Sequence, residues 1–187
     1  VCALCRNGYR GFDFAYCYGS YDGHLKDLIH LYKYGRVQSL APRFVDLLGA
    51  ALPLENNYDV AVPVPLHWRR RWQRGFNQAA QLAKGIAKRR GIRLANVLAR
   101  KRWTGSQASL SHSDRRGNVA GAFRVTGSVK GLRILLIDDV MTTGATAGAC
   151  ALILKRAGAK SVTLLTLARV DRRLAAPSAR TSKTGAS

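Results

Sequence analysis

The chain has 187 residues, 47% of them hydrophobic, enough for one domain with a real core plus appendages. No apolar run approaches the roughly 20 residues a membrane helix needs, and no charged-then-apolar leader opens the chain, so neither membrane insertion nor export is expected. With 31 Lys and Arg against 10 Asp and Glu the net charge is +21, a field that concentrates polyanions, although a solvated basic surface accounts equally well for the bulk of it.

In chain order the first feature is the pair Cys2 and Cys5, spaced Cys-x-x-Cys. Four cysteines without a leader point to a reducing compartment. Such a pair is half of a structural zinc site, which needs four ligands. Cys17 is too isolated to be a partner, and Cys150 reads as a core residue of a helix. Cys2 and Cys5 therefore read as the trailing half of a zinc knuckle whose leading half is missing, with a redox pair or two plain thiols as alternatives. The chain opens on Val rather than Met, so further sequence upstream is expected.

Phe12–Tyr18 alternates loosely and is predicted as a strand. Asp22–Tyr34 carries Leu25, Leu28, Ile29, Leu31 and Tyr32 at helical spacing, with Asp22 as N-cap and Gly35 as stop. A second helix is predicted over Leu40–Leu52, ended by Pro53. Residues 1–56 are thus expected to form a small N-terminal module whose aromatic piece (Tyr16, Tyr18, Tyr21, Tyr32 and Tyr34) is either a hood or one side of a binding cleft, or ordinary packing. Its tyrosines are assigned mostly to packing.

Residues 57–170 are expected to form the main domain. Asp59–Pro65 is an apolar strand closed by prolines, followed by the basic HWRRRWQRGFNQAA. A helix runs from about Asn77 to Arg90 with Ala79, Ala80, Leu82, Ala83, Ile86 and Ala87 on its apolar face, and Gly91 ends it. Leu94–Leu98 is a strand, Arg100–Asn118 a long polar loop of the functional kind, and Ala122–Val125 a strand or its edge. Gly131–Asp138 is the central strand, Thr146–Ala157 its helix and Ser161–Ala168 a further strand. This alternation predicts an α/β fold, a mainly parallel sheet flanked by helices. The tail 171–187 lacks periodicity and is expected to be disordered.

Leu135–Thr146 reads LLIDDVMTTGAT, an apolar strand that ends in two carboxylates and passes through a small-residue turn into a helix. Two neighbouring acids at a strand end can accept from vicinal sugar hydroxyls. The turn Thr142-Thr143-Gly144-Ala145-Thr146 offers backbone N–H groups and hydroxyls to a phosphate, aided by the helix dipole. The competing reading is a sheet edge with solvated acids and an ordinary N-cap. Between Leu66 and Arg133 lie 17 basic residues and one acid, Asp114, with Trp68, Trp72, Phe76 and Trp103 interleaved. Arg69, Arg70, Arg71, Trp72 and Trp103 are the candidate nucleic-acid contacts, since cations with stacking rings suit single strands, although core packing would equally explain the tryptophans.

Three segments in order, VPVPLHWRRRWQRGFNQAAQLA, RKRWTGSQASLSHSDRRGNVAGAFRV and LLIDDVMTTGAT, resemble the ComF family of the type I phosphoribosyltransferase superfamily. The resemblance spans roughly residues 14–170, and Arg74-Gly75-Phe76-Asn77-Gln78 is what narrows the superfamily to this family. It implies a type I phosphoribosyltransferase fold and a pocket for phosphoribosyl pyrophosphate. Asp138 and Asp139 would take the ribose hydroxyls, and Thr142, Thr143, Gly144, Ala145 and Thr146 the 5-phosphate. Pro65, Leu66 and His67 would belong to the pyrophosphate loop, with Arg71, Arg74 and Asn77 as anion partners. Lys101 and Arg102, on the flexible loop, would serve the departing pyrophosphate as catalytic charges. Mg²⁺ would be held mainly by the diphosphate and water. Zn²⁺ would bind only if the missing cysteine pair were supplied. A Thr at 142, where 6-oxopurine transferases carry a further Asp, argues against hypoxanthine or guanine as acceptor.

The family's association with natural transformation implies single-stranded DNA and the DNA-uptake machinery as partners, in the cytoplasm and with the inner face of the membrane as a candidate place. An active phosphoribosyltransferase using a nitrogen nucleophile, and a ligand sensor without catalysis, are the other two functional readings.

Overall fold

Ile134–Ile137 is apolar at every position, a pattern a strand sustains only when both of its faces are covered. The computed structural model, which describes residues 11–35, 37–55, 57–66, 75–100 and 121–170, places that strand inside the sheet. The elements in chain order are β1 (Phe14–Ser20), α1 (Gly23–Tyr34), a 3-10 turn (Gln38–Leu40), α2 (Ala41–Ala51), β2 (Val60–Pro63) and α3 (Gln78–Arg90). They continue with β3 (Arg93–Leu94), β4 (Leu98–Arg100), β5 (Phe123–Val125), β6 (Arg133–Met141), α4 (Ala145–Arg156) and β7 (Ser161–Arg169).

Five strands form one sheet in the order β1-β7-β6-β2-β3, and every neighbouring pair is parallel. The fold is therefore the mainly parallel, helix-flanked sheet expected of the sequence. Period-two alternation divides its core. Ile134 and Leu136 of β6 point into a cluster with Val60, Val62, Val162, Leu164 and the α4 residues Cys150, Ala151 and Leu154. Leu135 and Ile137 point the other way, toward Ile29 and Tyr32 of α1, Phe44 and Leu48 of α2, and Leu82 and Ile86 of α3.

The chain leaves β2 through α3 to β3 at one edge, and leaves β6 through α4 to β7 in the opposite direction. Right-handed crossovers running in opposite directions put their helices on opposite faces, which is where α3 and α4 pack. The reversal falls between β2 and β6, so the segments leaving these two strands diverge and open a crevice at their carboxyl ends.

Four expectations need adjusting. Residues 14–51, expected in a module of their own, share the sheet and core of the main domain: β1 pairs with β7 from Phe14↔Thr163 to Ser20↔Arg169, and α1 and α2 pack beneath it. The strand expected at Leu94–Leu98 is two strands, because after Ala95, whose N–H still bonds the Ala61 carbonyl at 2.9 Å, the chain leaves the sheet and β4 pairs antiparallel with β5. Arg100, expected to start the long loop, is the last residue of β4. Finally, β6 does not stop at Asp138 but continues to Met141, paired with Arg169. The long loop from 101, the tail from 171 and the Cys2–Cys5 pair lie outside the described residues.

Polar locks close the amino ends of the strands. The Asp59 carboxylate accepts from the guanidinium of Arg133 at 2.7 and 3.2 Å and from the Arg133 backbone N–H at 2.7 Å, joining the starts of β2 and β6. Asp13 likewise accepts from Lys155 and from the Val162 N–H, joining the start of β1 to α4 and β7. The Arg133 bonds hold the Asp59 carboxyl down at about 2, below its ordinary 3.8. A depressed folded-state value adds stability above the unfolded value and forfeits it as pH falls. Thermal melts of Asp59→Asn should therefore lie below wild type at neutral pH, and the gap should close as pH falls from about 4 to about 2.

Candidate functional site

β6 carries its two carboxylates through the crevice edge in regular strand geometry, with Asp138 paired to Thr166 and Val140 to Ala168. Consecutive strand side chains alternate, so Asp138 leans to the α4 side and Asp139 to the α1 side. Their surroundings agree. The negative field of Asp138 reaches Cys150 of α4, whose thiol burial already pushes far above the usual cysteine range. Asp139 instead meets Lys33 of α1, with Nζ 2.9 Å from Oδ1. The Asp138 carboxylate also turns back to accept the Asp139 backbone N–H at 2.9 Å.

After Met141 the chain makes the small-residue turn. Gly144 sits at φ 71°, the left-handed region, and serves as N-cap of α4. A glycine there offers no side chain to cap the helix, so the first-turn N–H groups and the positive end of the dipole face the crevice. Thr143 and Thr142 are exposed above them, and the Thr143 hydroxyl accepts the Ala145 N–H at 3.3 Å. The turn thus presents small groups and donors to an anion.

A cavity of about 230 Å³ lies over this edge, bounded by the carboxyl ends of β2, β6 and β7 and the amino ends of α3 and α4. Asp138, Asp139, Thr142, Thr143, Gly144, Ala145 and Thr146 line it from β6 and the turn. Pro65 and Leu66 line it from the segment after β2. Asn77, at the N-cap position of α3 with its Nδ2 donating to the Val64 carbonyl at 3.4 Å, closes that side. All ten described residues expected to bind ligand therefore line one cavity. His67, Arg69, Arg70, Arg71, Trp72, Arg74, Lys101, Arg102 and Trp103 lie outside the described residues, as do Cys2 and Cys5.

Among the other lining residues, Tyr21 belongs to the aromatic piece expected as a lid or a side of the cleft and Arg100 to the start of the expected flexible loop, whereas Lys33 and Thr166 were not singled out by the sequence. Lys33 and Tyr21 come from the segment read as an N-terminal module, and only tertiary packing brings them here. α1 is held in place by Tyr32, whose ring meets Phe44 and Phe76 edge-on at 5.2 and 5.4 Å and whose hydroxyl donates to Gln81 Oε1 at 2.9 Å. Burial and the Asp139 carboxylate together push that hydroxyl well above the ordinary tyrosine range. Among the described residues no cluster of His, Cys, Asp or Glu has the makings of a metal centre, and no helix is long and apolar enough to cross a membrane.

The sequence matches the phosphoribosyl transferase domain family over residues 73–184. It is 36% identical over 159 residues to DNA utilization protein YhgH of Salmonella typhi, covering 80% of this chain and 69% of that one. Competence protein ComFC of Streptococcus pneumoniae is 33% identical over 150 residues, 80% of this chain and 66% of that protein. Competence protein F of Haemophilus influenzae is 36% identical over 115 residues, 59% of this chain and 50% of that protein.

The left-handed N-cap gives a direct test of the turn. Gly144→Ala should cost roughly 1–2 kcal/mol in urea unfolding, with Gly144→Asn losing less because Asn tolerates that region better.

Proposed function

The chain belongs to the phosphoribosyl transferase family, in its ComF branch, and from that membership we propose that its cavity binds phosphoribosyl pyrophosphate in a protein that handles single-stranded DNA. The observation that carries the pocket reading is the gathering of the acid pair, the small-residue turn and the post-β2 segment around one cavity at the reversal of the sheet.

In this reading Asp138 and Asp139 accept from the ribose hydroxyls while the turn 142–146 and the α4 dipole hold the 5-phosphate. Pro65, Leu66 and His67 border the pyrophosphate, with Asn77, Arg71 and Arg74 as its polar and cationic partners. Mg²⁺ bound to the diphosphate would neutralise charge as pyrophosphate departs. Lys101 and Arg102 bring cations to the same leaving group. Transfer, where it occurs, is displacement of pyrophosphate at the anomeric carbon by a nitrogen nucleophile, and the same pocket without turnover is a ligand sensor. Cys2 and Cys5 bind zinc only with a second cysteine pair.

The names of the relatives, DNA utilization and competence proteins, support a role in DNA uptake. The run of 17 basic residues against one acid between Leu66 and Arg133 suits a phosphate backbone. Arg69, Arg70 and Arg71 supply the phosphate contacts, and Trp72 and Trp103 the stacking. The protein acts in the cytoplasm, beside the inner face of the membrane where incoming strands arrive.

Calorimetry with phosphoribosyl pyrophosphate and Mg²⁺ tests the pocket. Wild type should bind and Asp138→Ala should lose about 100-fold or more, the scale of a lost charged hydrogen-bond acceptor in a closed site; equal affinities would refute the ribose placement. Single-strand binding titrated with salt tests the second half. Changing Arg69, Arg70 and Arg71 together to Ala should flatten the log–log slope by about 2, and an unchanged slope would remove these residues from the interface.

A further inference from the structure

Lys33 is the penultimate residue of α1, where a lysine on an amphipathic helix ordinarily turns to water and complements the dipole. Its neighbour Tyr34 does face solvent, at 56% exposure. Lys33 instead points inward, its side chain 11% exposed, with Nζ 2.9 Å from Oδ1 of an equally covered Asp139. A nearly buried ion pair gains little stability over apolar packing, so stability alone is a poor reason for this arrangement.

Two features fix its direction. Tyr32, fully buried, sets the rotation of α1 through its ring contacts with Phe44 and Phe76 and its hydroxyl bond to Gln81. Strand alternation turns Asp139 toward that helix. The ammonium therefore meets the carboxylate inside the cavity wall, which both residues line. A carboxylate has acceptor sites on two oxygens, and the ion pair engages Oδ1. Asp139 can thus accept from Lys33 and from a ligand hydroxyl together, in one orientation.

We infer that Lys33 is a positioning residue that orients Asp139 onto the sugar hydroxyls, making the cavity selective for phosphorylated sugars bearing a vicinal diol. This rests on the pocket reading above. A diol donates to the two carboxylates at once. A ring lacking it forgoes its charge-assisted hydrogen bonds to both carboxylates in a largely covered site, and such a loss is costly. Without Lys33 the Asp139 side chain gains rotamers, and the diol loses its fixed acceptor while the phosphate keeps the α4 turn.

Equilibrium binding of three probes separates these effects: ribose 5-phosphate, tetrahydrofurfuryl phosphate (a similar ring and phosphate without hydroxyls) and inorganic phosphate. Wild type should prefer ribose 5-phosphate over tetrahydrofurfuryl phosphate. Lys33→Met should cut that preference about tenfold, the scale of one charge-assisted hydrogen bond, and leave inorganic phosphate within twofold. Lys33→Arg should restore part of the preference. Lys33→Met added to Asp139→Asn should cost nothing further, since both act on one contact. An unchanged preference in Lys33→Met, or tighter ribose binding as if the lysine blocked the site, would overturn the inference. If Lys33→Met does not fold, Lys33→Gln gives the same readout. Wild type without any preference for the diol would instead overturn the pocket reading itself.

Discussion

β6 has to be apolar on both faces for most of its length and then deliver two carboxylates to the sheet edge, and that double demand organises the molecule. Ile134 and Leu136 are covered by the α4 side, Leu135 and Ile137 by the helices α1 to α3. Alternation continues unchanged through Asp138 and Asp139, so one carboxylate belongs to each layer. A slip of one residue in the pairing of β6 would exchange the layers of every side chain on it. The Asp59–Arg133 lock at the other end of the strand holds the register from the far side of the molecule.

The reversal of crossover direction between β2 and β6 converts this strand into a site. It separates the two loops that line the cavity and aims the amino end of α4 into the gap. The left-handed Gly144 lets the chain turn sharply enough to start α4 with only Thr142, Thr143 and Gly144 between it and the end of β6. α1 then closes the open side. Its anchor is aromatic packing around Tyr32, and what it contributes is a charge, Lys33, facing Asp139. The N-terminal helices are in this sense a wall of the pocket, integral to the same core.

Much of this was legible in residue patterns because the core obeys simple periodicities. The unbroken apolar run before Asp138 announced a strand covered on both faces, and the spacing of Leu82, Ala83 and Ile86 announced α3 against it. The turn chemistry of Thr142–Thr146 pointed to the edge where the cavity lies. Local pattern failed where pairing decided. Ala95–Val97 falls inside the mostly apolar stretch Leu94–Leu98, yet β2 pairs with β3 only at Arg93 and Leu94. Val140 and Met141 extend β6 past its acids because Ala168 and Arg169 of β7 are there to receive them. Lys33 left no local signal at all: a lysine in the last turn of a helix reads as a surface cation, and only the packing of α1 against the crevice sets it on Asp139.

The central claim is that one cavity at the carboxyl ends of β2 and β6 binds a phosphorylated ribose through both the acid pair and the turn. Amide chemical-shift mapping during titration with phosphoribosyl pyrophosphate and Mg²⁺ tests it most directly. The account predicts that the amides of Asp138 and Asp139, of Thr143–Ala147 and of Leu66 shift together along one binding curve. Shifts confined to the basic surface, with these amides unmoved, would contradict it.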